Sequence, residues 1–236
     1  MTEIVFVHGA LVRDGAWWWK PVADQVREAT GVSSRAVLLP SCGEGPAAGA
    51  DAGLAEDAAA LHAVLDETEA AIVVGHSYGG TVIAEGAEHP AVSHLLYITS
   101  YLPEVGQSQA SIMSAEPDPV SIAMDGGMLS VDGYTPDTFG ERFWADLGDG
   151  DARAEAWARV TPQAAAAFST PTTRASWQGR ESTYLVCGAD RSTSVALQRT
   201  HAARATHSAE LPTGHHPFLT RPDLVAQQVG RVLRSL

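Results

Sequence analysis

Short runs of apolar, often β-branched residues alternate along this chain with longer stretches in which apolar residues recur every three or four positions. The short runs predict strands at residues 3–8, 33–39, 71–76, 93–99, 182–187 and 206–211. The longer stretches predict helices near residues 16–29, 53–69, 78–88, 193–204 and 222–235. Such alternation is typical of an α/β fold with an open, mostly parallel sheet and right-handed crossover helices on both faces.

The alternation stops between residues 104 and 178. This stretch contains several prolines, the pair Gly126–Gly127 and three tryptophans, but no convincing strand pattern. It is too long for a plain loop in a compact domain, and its aromatic content argues against disorder. We therefore predict an inserted lid of short helices at residues 104–178, above a core formed by residues 1–103 and 179–236.

The segment GHSYGG at residues 75–80 is the strongest candidate for chemistry. A Gly-x-Ser-x-Gly match alone is weak, but this one follows an apolar predicted strand and precedes a predicted helix. In that context the glycines allow a sharp turn that exposes Ser77 at the end of the strand. The adjacent helix N-terminus offers N–H groups that stabilise negative charge. The alternative is a plain glycine-rich turn without chemistry.

A serine nucleophile needs a base, and the base needs an acid that orients it, in the chain order Ser, Asp or Glu, His. Asp190 follows the fifth predicted strand, and His215 and His216 follow the last one. The carboxyl ends of parallel strands meet at one edge of the sheet, so these residues can approach Ser77. His215 comes first after its strand and is the expected base. Asp223 is an alternative to Asp190, but its position favours a helix start.

The loop after the first strand is the expected second half of an oxyanion hole. Gly9 lets the backbone approach closely, and the N–H of Ala10 can join the N–H of Tyr78 in facing a negative oxygen. Substrate-binding side chains are expected among the aromatic residues and the second histidine. Together with Gly9 they are Trp17, Tyr101, Trp144 and His216.

Composition narrows the function. Over 236 residues, 15 basic against 28 acidic side chains give a formal net charge of −13. Nucleic acids and anionic membranes bind clustered Lys and Arg, so neither is an expected partner. The two cysteines, Cys42 and Cys187, suggest neither a disulfide framework nor a metal site. With no secretory signal visible, we expect a cytoplasmic protein.

Five segments together resemble the α/β-hydrolase superfamily, and more narrowly the branch of plant methylesterases and hydroxynitrile lyases with their bacterial esterase relatives. The resemblance implies a six-stranded parallel sheet in the order 2-1-3-4-5-6, a triad of Ser77, Asp190 and His215, and an oxyanion hole made by Ala10 and Tyr78. The segments are VHGA at 7–10, GHSYGG at 75–80, ITSYLPE at 98–104, YLVCGAD at 184–190 and GHHPFLTRPDLV at 214–225.

Two departures from the hydroxynitrile lyases of this branch favour an esterase. Hydroxynitrile lyases of the branch usually have threonine in place of Gly9 and lysine in place of His216. We therefore expect a serine hydrolase that cleaves a small neutral or hydrophobic carboxylic ester or lactone through an acyl-enzyme on Ser77, with no metal or cofactor. The alternatives are a lyase, cyclase or acyltransferase with the same triad, or a small-molecule receptor. A small-molecule substrate is the expected partner, and the oligomeric state, including a homodimer, stays open.

Overall fold

The computed structural model describes residues 2–148 and 150–236. The strands within these residues are β1 (Thr2–Val7), β2 (Ser34–Ala36), β3 (Ala70–His76), β4 (Val92–Ile98), β5 (Ile122–Asp125), β6 (Met128–Val131), β7 (Gln163–Ala164), β8 (Ser182–Cys187) and β9 (His207–Leu211). Six of them form one parallel sheet in the order β2-β1-β3-β4-β8-β9. The predicted α/β-hydrolase sheet and its strand order are confirmed.

Helices cover both faces of this sheet. They are α1 (Gly15–Thr30), α2 (Leu54–Asp66), α3 (Gly79–Gly86), α4 (Gln109–Met113), α5 (Pro136–Phe143), α6 (Gly150–Trp157), α7 (Ala166–Ser169), α8 (Val195–Ala202), α9 (Pro217–Thr220) and α10 (Pro222–Leu233). α1 and α10 pack on one face, and α2, α3 and α8 pack on the other. No helix in the described part of the chain is both long and apolar enough to cross a membrane.

Successive residues of the central strands point to opposite faces, which explains their continuous apolar runs. In β3, Ile72 and Val74 face α1, whereas Val73 faces α2 and α3, and all three are fully buried. A strand covered on both faces is apolar at most positions. This arrangement places the carboxyl ends of β1, β3, β4, β8 and β9 along one edge of the sheet.

Residues 104–178, the inserted segment, contain the expected short helices and also an antiparallel sheet of β5, β6 and β7. The expectation of a segment without strands is therefore wrong. β5 and β6 form a hairpin whose two-residue turn is Gly126–Gly127, with φ of 54° and 82°. Glycine is favoured where both turn residues need positive φ, so this pair was the available sequence signal.

The inserted segment contacts the core beside the end of β1. Val12 and Val160 form an isolated antiparallel bridge. The N–H of Thr161 donates to the carbonyl of Leu11 at 2.9 Å, and the N–H of Arg13 donates to the carbonyl of Arg159 at 3.0 Å. These bonds tie residues 159–161 to the loop that follows β1.

Candidate active site

Ser77 occupies a strained turn between β3 and α3. Its φ is +50°, a left-handed conformation that non-glycine residues rarely adopt. The turn fits because a Cβ on Gly79 would lie 2.5 Å from the carbonyl oxygen of Val7. The Ser100 hydroxyl donates to the Ser77 carbonyl at 2.7 Å and holds the turn from β4's side. The predicted strand–turn–helix context of Ser77 is thus present.

Asp190 and His215 are joined by a buried hydrogen bond. The Nδ1 of His215 lies 2.8 Å from Oδ2 of Asp190, and the two side chains are 4% and 0% exposed. The N–H groups of Ser192 and Thr193 donate to Oδ1 of Asp190, at 2.7 and 3.1 Å. Both oxygens of the carboxylate are therefore fixed, and Nε2 of His215 is left available for proton transfer.

Two residues that the sequence analysis missed complete the surroundings of Asp190. The Thr99 hydroxyl and the Gln198 amide both donate to its Oδ2. Burial opposes ionisation of this carboxyl, but the charge and hydrogen bond of His215, the Thr99 hydroxyl and the Ser192 N–H together lower its pKa below the ordinary value. Thr99 has φ of +39°, a rare conformation for a β-branched residue that could have been seen only in three dimensions.

Ser77 and His215 line the same cavity. Within the described residues the Ser77 hydroxyl makes no hydrogen bond, so it can turn towards Nε2 of His215 when substrate arrives. Asp223, the alternative acid, pairs with Arg221 on the surface at 2.8 Å. The structure therefore brings Ser77, Asp190 and His215 together and separates Asp223 from them.

The expected oxyanion donors also lie at this edge. Ala10 lines the cavity, and Tyr78 directly follows Ser77 at the start of α3. Among residues 2–148 and 150–236, neither backbone N–H has an acceptor. Gly9 does not border the cavity. A Cβ there would lie 2.7 Å from Nδ1 of His76, so Gly9 allows the loop to pack against the Ser77 turn instead.

The cavity has a volume of about 60 Å³ and mostly apolar walls. Tyr101 and His216 line it as expected, but Trp17 and Trp144 do not. Trp144 is buried behind the wall against Trp18, and Trp17 lies under the guanidinium of Arg159. The inserted segment contributes eight apolar side chains that were not predicted: Met113, Pro119, Val120, Ile122, Val131, Phe139, Phe143 and Phe168.

His76 and His216 differ from His215 in their partners. Nδ1 of His216 donates to the carbonyl of Phe143 at 3.0 Å, and Nε2 of His76 donates to the carbonyl of His215 at 2.9 Å. Burial and the nearby charge of His215 lower the pKa of His216 to about 3, and the same causes lower the pKa of His76. Both rings are therefore neutral and held by carbonyls, which leaves His215 as the ring oriented by a carboxylate.

Comparison with known proteins agrees with this architecture. The model of the Alpha/beta hydrolase family matches residues 4–228. The chain belongs to the alpha/beta hydrolase family. A catalytic triad and an oxyanion hole are typical of this fold, and an esterase-type hydrolase is the activity that its relatives support.

Among relatives of this alpha/beta hydrolase is the probable hydrolase R7 of a Phoma species, 26% identical over 75% of this chain and 79% of that protein. A carbendazim-hydrolysing esterase of a Nocardioides species is 32% identical over 54% of each chain. Solved structures with the same fold include a pyrethroid hydrolase from Sphingobium faniae, with a TM-score of 0.81, 24% identity and coverage of 98% and 97% of the two chains.

The solved structures with the same fold also include a member of the plant branch that the five segments resemble. A methylesterase from Arabidopsis superposes with a TM-score of 0.76 at 17% identity, over the full length of both chains. At this identity the likeness concerns the fold, and it places the hydrolase in the architecture that the five segments indicated.

Proposed function

We propose that this alpha/beta hydrolase cleaves neutral, largely apolar carboxylic esters or lactones through an acyl-enzyme on Ser77. The observation that carries the proposal is the buried hydrogen bond between His215 and Asp190, together with the cavity that His215 and Ser77 both line. His215 takes the Ser77 proton, Asp190 fixes its tautomer and stabilises the imidazolium, and Ser77 attacks the carbonyl carbon.

The remaining steps follow from the same groups. The carbonyl oxygen gains negative charge as the tetrahedral intermediate forms, and the N–H groups of Ala10 and Tyr78 are the donors that stabilise it. His215 then protonates the departing alcohol. Water, deprotonated by His215, attacks the acyl-enzyme and releases the carboxylic acid with Ser77 restored.

The cavity walls support a neutral substrate. Among its described lining residues there is no Lys or Arg, and Glu116 is the one carboxylate. Both Glu116 oxygens accept hydrogen bonds from Ser194, at 3.0 and 3.1 Å. A substrate carboxylate or phosphate would therefore find a negative group and no counter-ion, whereas an alkyl or aryl ester finds apolar contacts.

The decisive test is labelling and turnover with a matched serine variant. A fluorophosphonate should modify Ser77, as peptide mapping can show, and nitrophenyl esters should be hydrolysed. Ser77→Ala should lose both, with kcat/KM lower by at least about 10³-fold. The exposed Ser235 provides the control, and Ser235→Ala should behave as the wild-type protein.

Two results would contradict the proposal. Turnover by Ser77→Ala at near wild-type rate would show that this hydroxyl is not the nucleophile. Labelling of Ser77 in a protein that turns over no ester would favour a lyase, cyclase or acyltransferase reaction on the same triad.

A further inference from the structure

The two donors of the proposed oxyanion hole come from segments that are distant in sequence. Ala10 lies in the loop after β1, and Tyr78 lies at the start of α3. An oxyanion is stabilised only if both N–H groups point at one position, so their separation must be fixed. The backbone bonds of either segment alone do not fix it.

The Tyr78 side chain is anchored in the core away from the cavity. Its hydroxyl donates to Oδ2 of Asp57 at 2.7 Å, and Asp57 is a fully buried residue of α2. The same carboxylate accepts the hydroxyl of Ser41 at 2.6 Å and the N–H of Ser41 at 2.9 Å. Three donors thus hold Asp57, and Asp57 in turn holds residue 78.

The Ala10 side is anchored through the next peptide. Leu11 has φ of +58°, and its N–H donates to Oε1 of Gln163 at 2.9 Å. Gln163 is the first residue of β7, in the inserted segment, and is fully buried. The orientation of the Ala10–Leu11 peptide therefore depends on a side chain from outside the core.

One hydrogen bond joins these two anchors. Nε2 of Gln163 donates to the Ser41 hydroxyl at 2.9 Å, and that hydroxyl donates to Asp57. The direction of every bond is fixed, because the Leu11 N–H can only donate and the Asp57 carboxylate, which accepts from both Ser41 and Tyr78, can only accept. We call this series of linked residues the buried hydrogen-bond chain; in order, they are Leu11, Gln163, Ser41, Asp57 and Tyr78. Ser41, Asp57, Gln163 and Tyr78 are each 0% exposed.

We propose that Gln163 and Asp57 are positioning residues that hold the two oxyanion-hole N–H groups at a fixed separation through the buried hydrogen-bond chain. The inference rests on the proposed function, since it needs an oxyanion to form at this edge. Burying a set of polar groups destabilises the folded protein unless each group has a hydrogen-bond partner. Here every polar group that has been named has one. Through Gln163, the inserted segment takes part in the reaction without contacting substrate.

Two variants break the chain at opposite ends. Gln163→Met keeps the side-chain length and removes both amide groups, whereas Tyr78→Phe removes one hydroxyl and keeps the backbone N–H of residue 78. Each should lower the acylation rate of Ser77 by about 10-fold, less than the 10²–10³-fold typical of losing a donor outright. Binding of a trifluoromethyl ketone, which Ser77 converts into a hemiketal anion, should weaken by the same factor. Binding of the corresponding neutral alcohol should not change.

A double variant sharpens the test. If the buried hydrogen-bond chain acts as a unit, Gln163→Met combined with Tyr78→Phe should lower the acylation rate little more than either change alone. The reason is that the first substitution already interrupts the connection between the two N–H groups. Ser176→Ala is the matched control. Ser176 is also buried, and its hydroxyl donates to the Ala84 carbonyl at 2.8 Å away from the cavity. This control should lower the unfolding temperature and leave acylation and ketone binding unchanged.

The outcomes separate the inference from the function on which it rests. If the wild-type protein is labelled by a fluorophosphonate and both chain variants keep its acylation rate and ketone affinity, the positioning role is wrong whatever their unfolding temperatures. If alcohol and ketone binding weaken equally, the chain shapes the cavity and does not position the donors. An unlabelled wild-type protein would instead overturn the proposed function. If Gln163→Met does not fold, the acylation rate and ketone affinity of Tyr78→Phe alone still test the positioning role.

Discussion

The edge of the central sheet and the inserted segment contribute different things to one cavity. The sheet edge supplies the groups that can exchange protons or carry charge, and each lies in the loop that follows a strand. Hydrogen bonds hold the backbone of Ser77 and the side chains of Asp190 and His215. The inserted segment supplies mainly apolar walls, with Glu116 as the one carboxylate among them. This division implies that changes at the sheet edge alter the rate for every substrate, whereas changes of the cavity-lining side chains of the inserted segment alter which substrate is preferred. Gln163, which does not line the cavity, belongs by its proposed role with the sheet edge.

Removing the charge behind His215 should test the sheet edge most severely. Asp190→Asn preserves the shape but favours the wrong tautomer of His215, and we expect kcat/KM to fall by about 10⁴-fold for all esters. Asp223→Asn is the matched control, because Asp223 is exposed and pairs with Arg221. Steady-state kinetics on short and long esters would decide, and equal losses in the two variants would contradict the assignment of Asp190.

Adding one methyl group beside the Ser77 turn should have the next largest effect. The Cβ of Gly9→Ala would lie 2.7 Å from Nδ1 of His76 and 3.2 Å from Cβ of Ser77, so the loop or the turn must shift. A displacement of about 1 Å can cost up to 10²-fold in rate, so we expect a loss of about 10–100-fold for every ester. Gly49→Ala, with open space around its Cβ, should leave kcat/KM as it is. A loss confined to bulky esters would show that Gly9 acts on substrate fit.

A change in the inserted segment should instead discriminate between substrates. Ile122 lines the cavity from β5 and is 44% exposed, so Ile122→Ala removes wall contact at little cost to folding. We expect kcat/KM for long-chain esters to change roughly 5-fold, within the range of a few methylene contacts, and that for acetyl esters to stay constant. Met124, on the same strand but outside the cavity, gives the control variant Met124→Ala. A uniform change across chain lengths would break the comparison.

The smallest expected effect is a loss of stability in acid. We expect its cause to lie in the core and not in the inserted segment. The inserted segment contains no histidine. Burial lowers the pKa of His201 to about 4 and that of His216 to about 3, against roughly 6.5 in an unfolded chain. Between pH 6.5 and 4 the unfolded chain therefore binds protons that the folded chain does not. The free energy of unfolding should decrease as the pH falls through this window.

His201→Asn isolates one of these protons. It keeps an acceptor for the N–H of Leu102, which donates to Nδ1 of His201 at 3.2 Å. Urea unfolding between pH 4 and 7 should show a shallower slope for the variant, by up to about 1.4 kcal/mol per pH unit. Identical slopes would mean that His201 binds protons equally in the folded and unfolded states, so that burial does not lower its pKa. Asp190 does not affect the slope measured between pH 4 and 7, because its lowered pKa changes stability only below about pH 4.

The sequence predicted the central sheet well because strands that are buried on both faces contain recognisable runs of apolar residues. Strands β3 and β8 contain continuous apolar runs at residues 70–74 and 184–187, and the turn after β3 carries glycines where close approach requires them. The small sheet of the inserted segment left little mark, since all four residues of β5 are exposed and show no apolar alternation. Only the Gly126–Gly127 pair indicated its hairpin.

The site was predictable where chemistry depends on residue order and not where it depends on burial. Ser77, Asp190 and His215 follow strands in the expected order, and the structure gathers them at one edge. Trp144 carries an aromatic signal identical to that of a cavity residue, yet it packs behind the wall. Asp57 has the appearance of a surface residue of an amphipathic helix, and only the packing of α2 against the core shows that it is buried.

The bridge between Val12 and Val160 also marks where this protein can be cut and rejoined. A chimera that takes residues 104–158 from another hydrolase would keep the native backbone contacts of residues 159–161 and the amide of Gln163. A transplant that extends through residue 178 would replace those contacts with foreign ones. Exchange of substrate range by recombination should therefore succeed with the shorter graft and cost activity with the longer one.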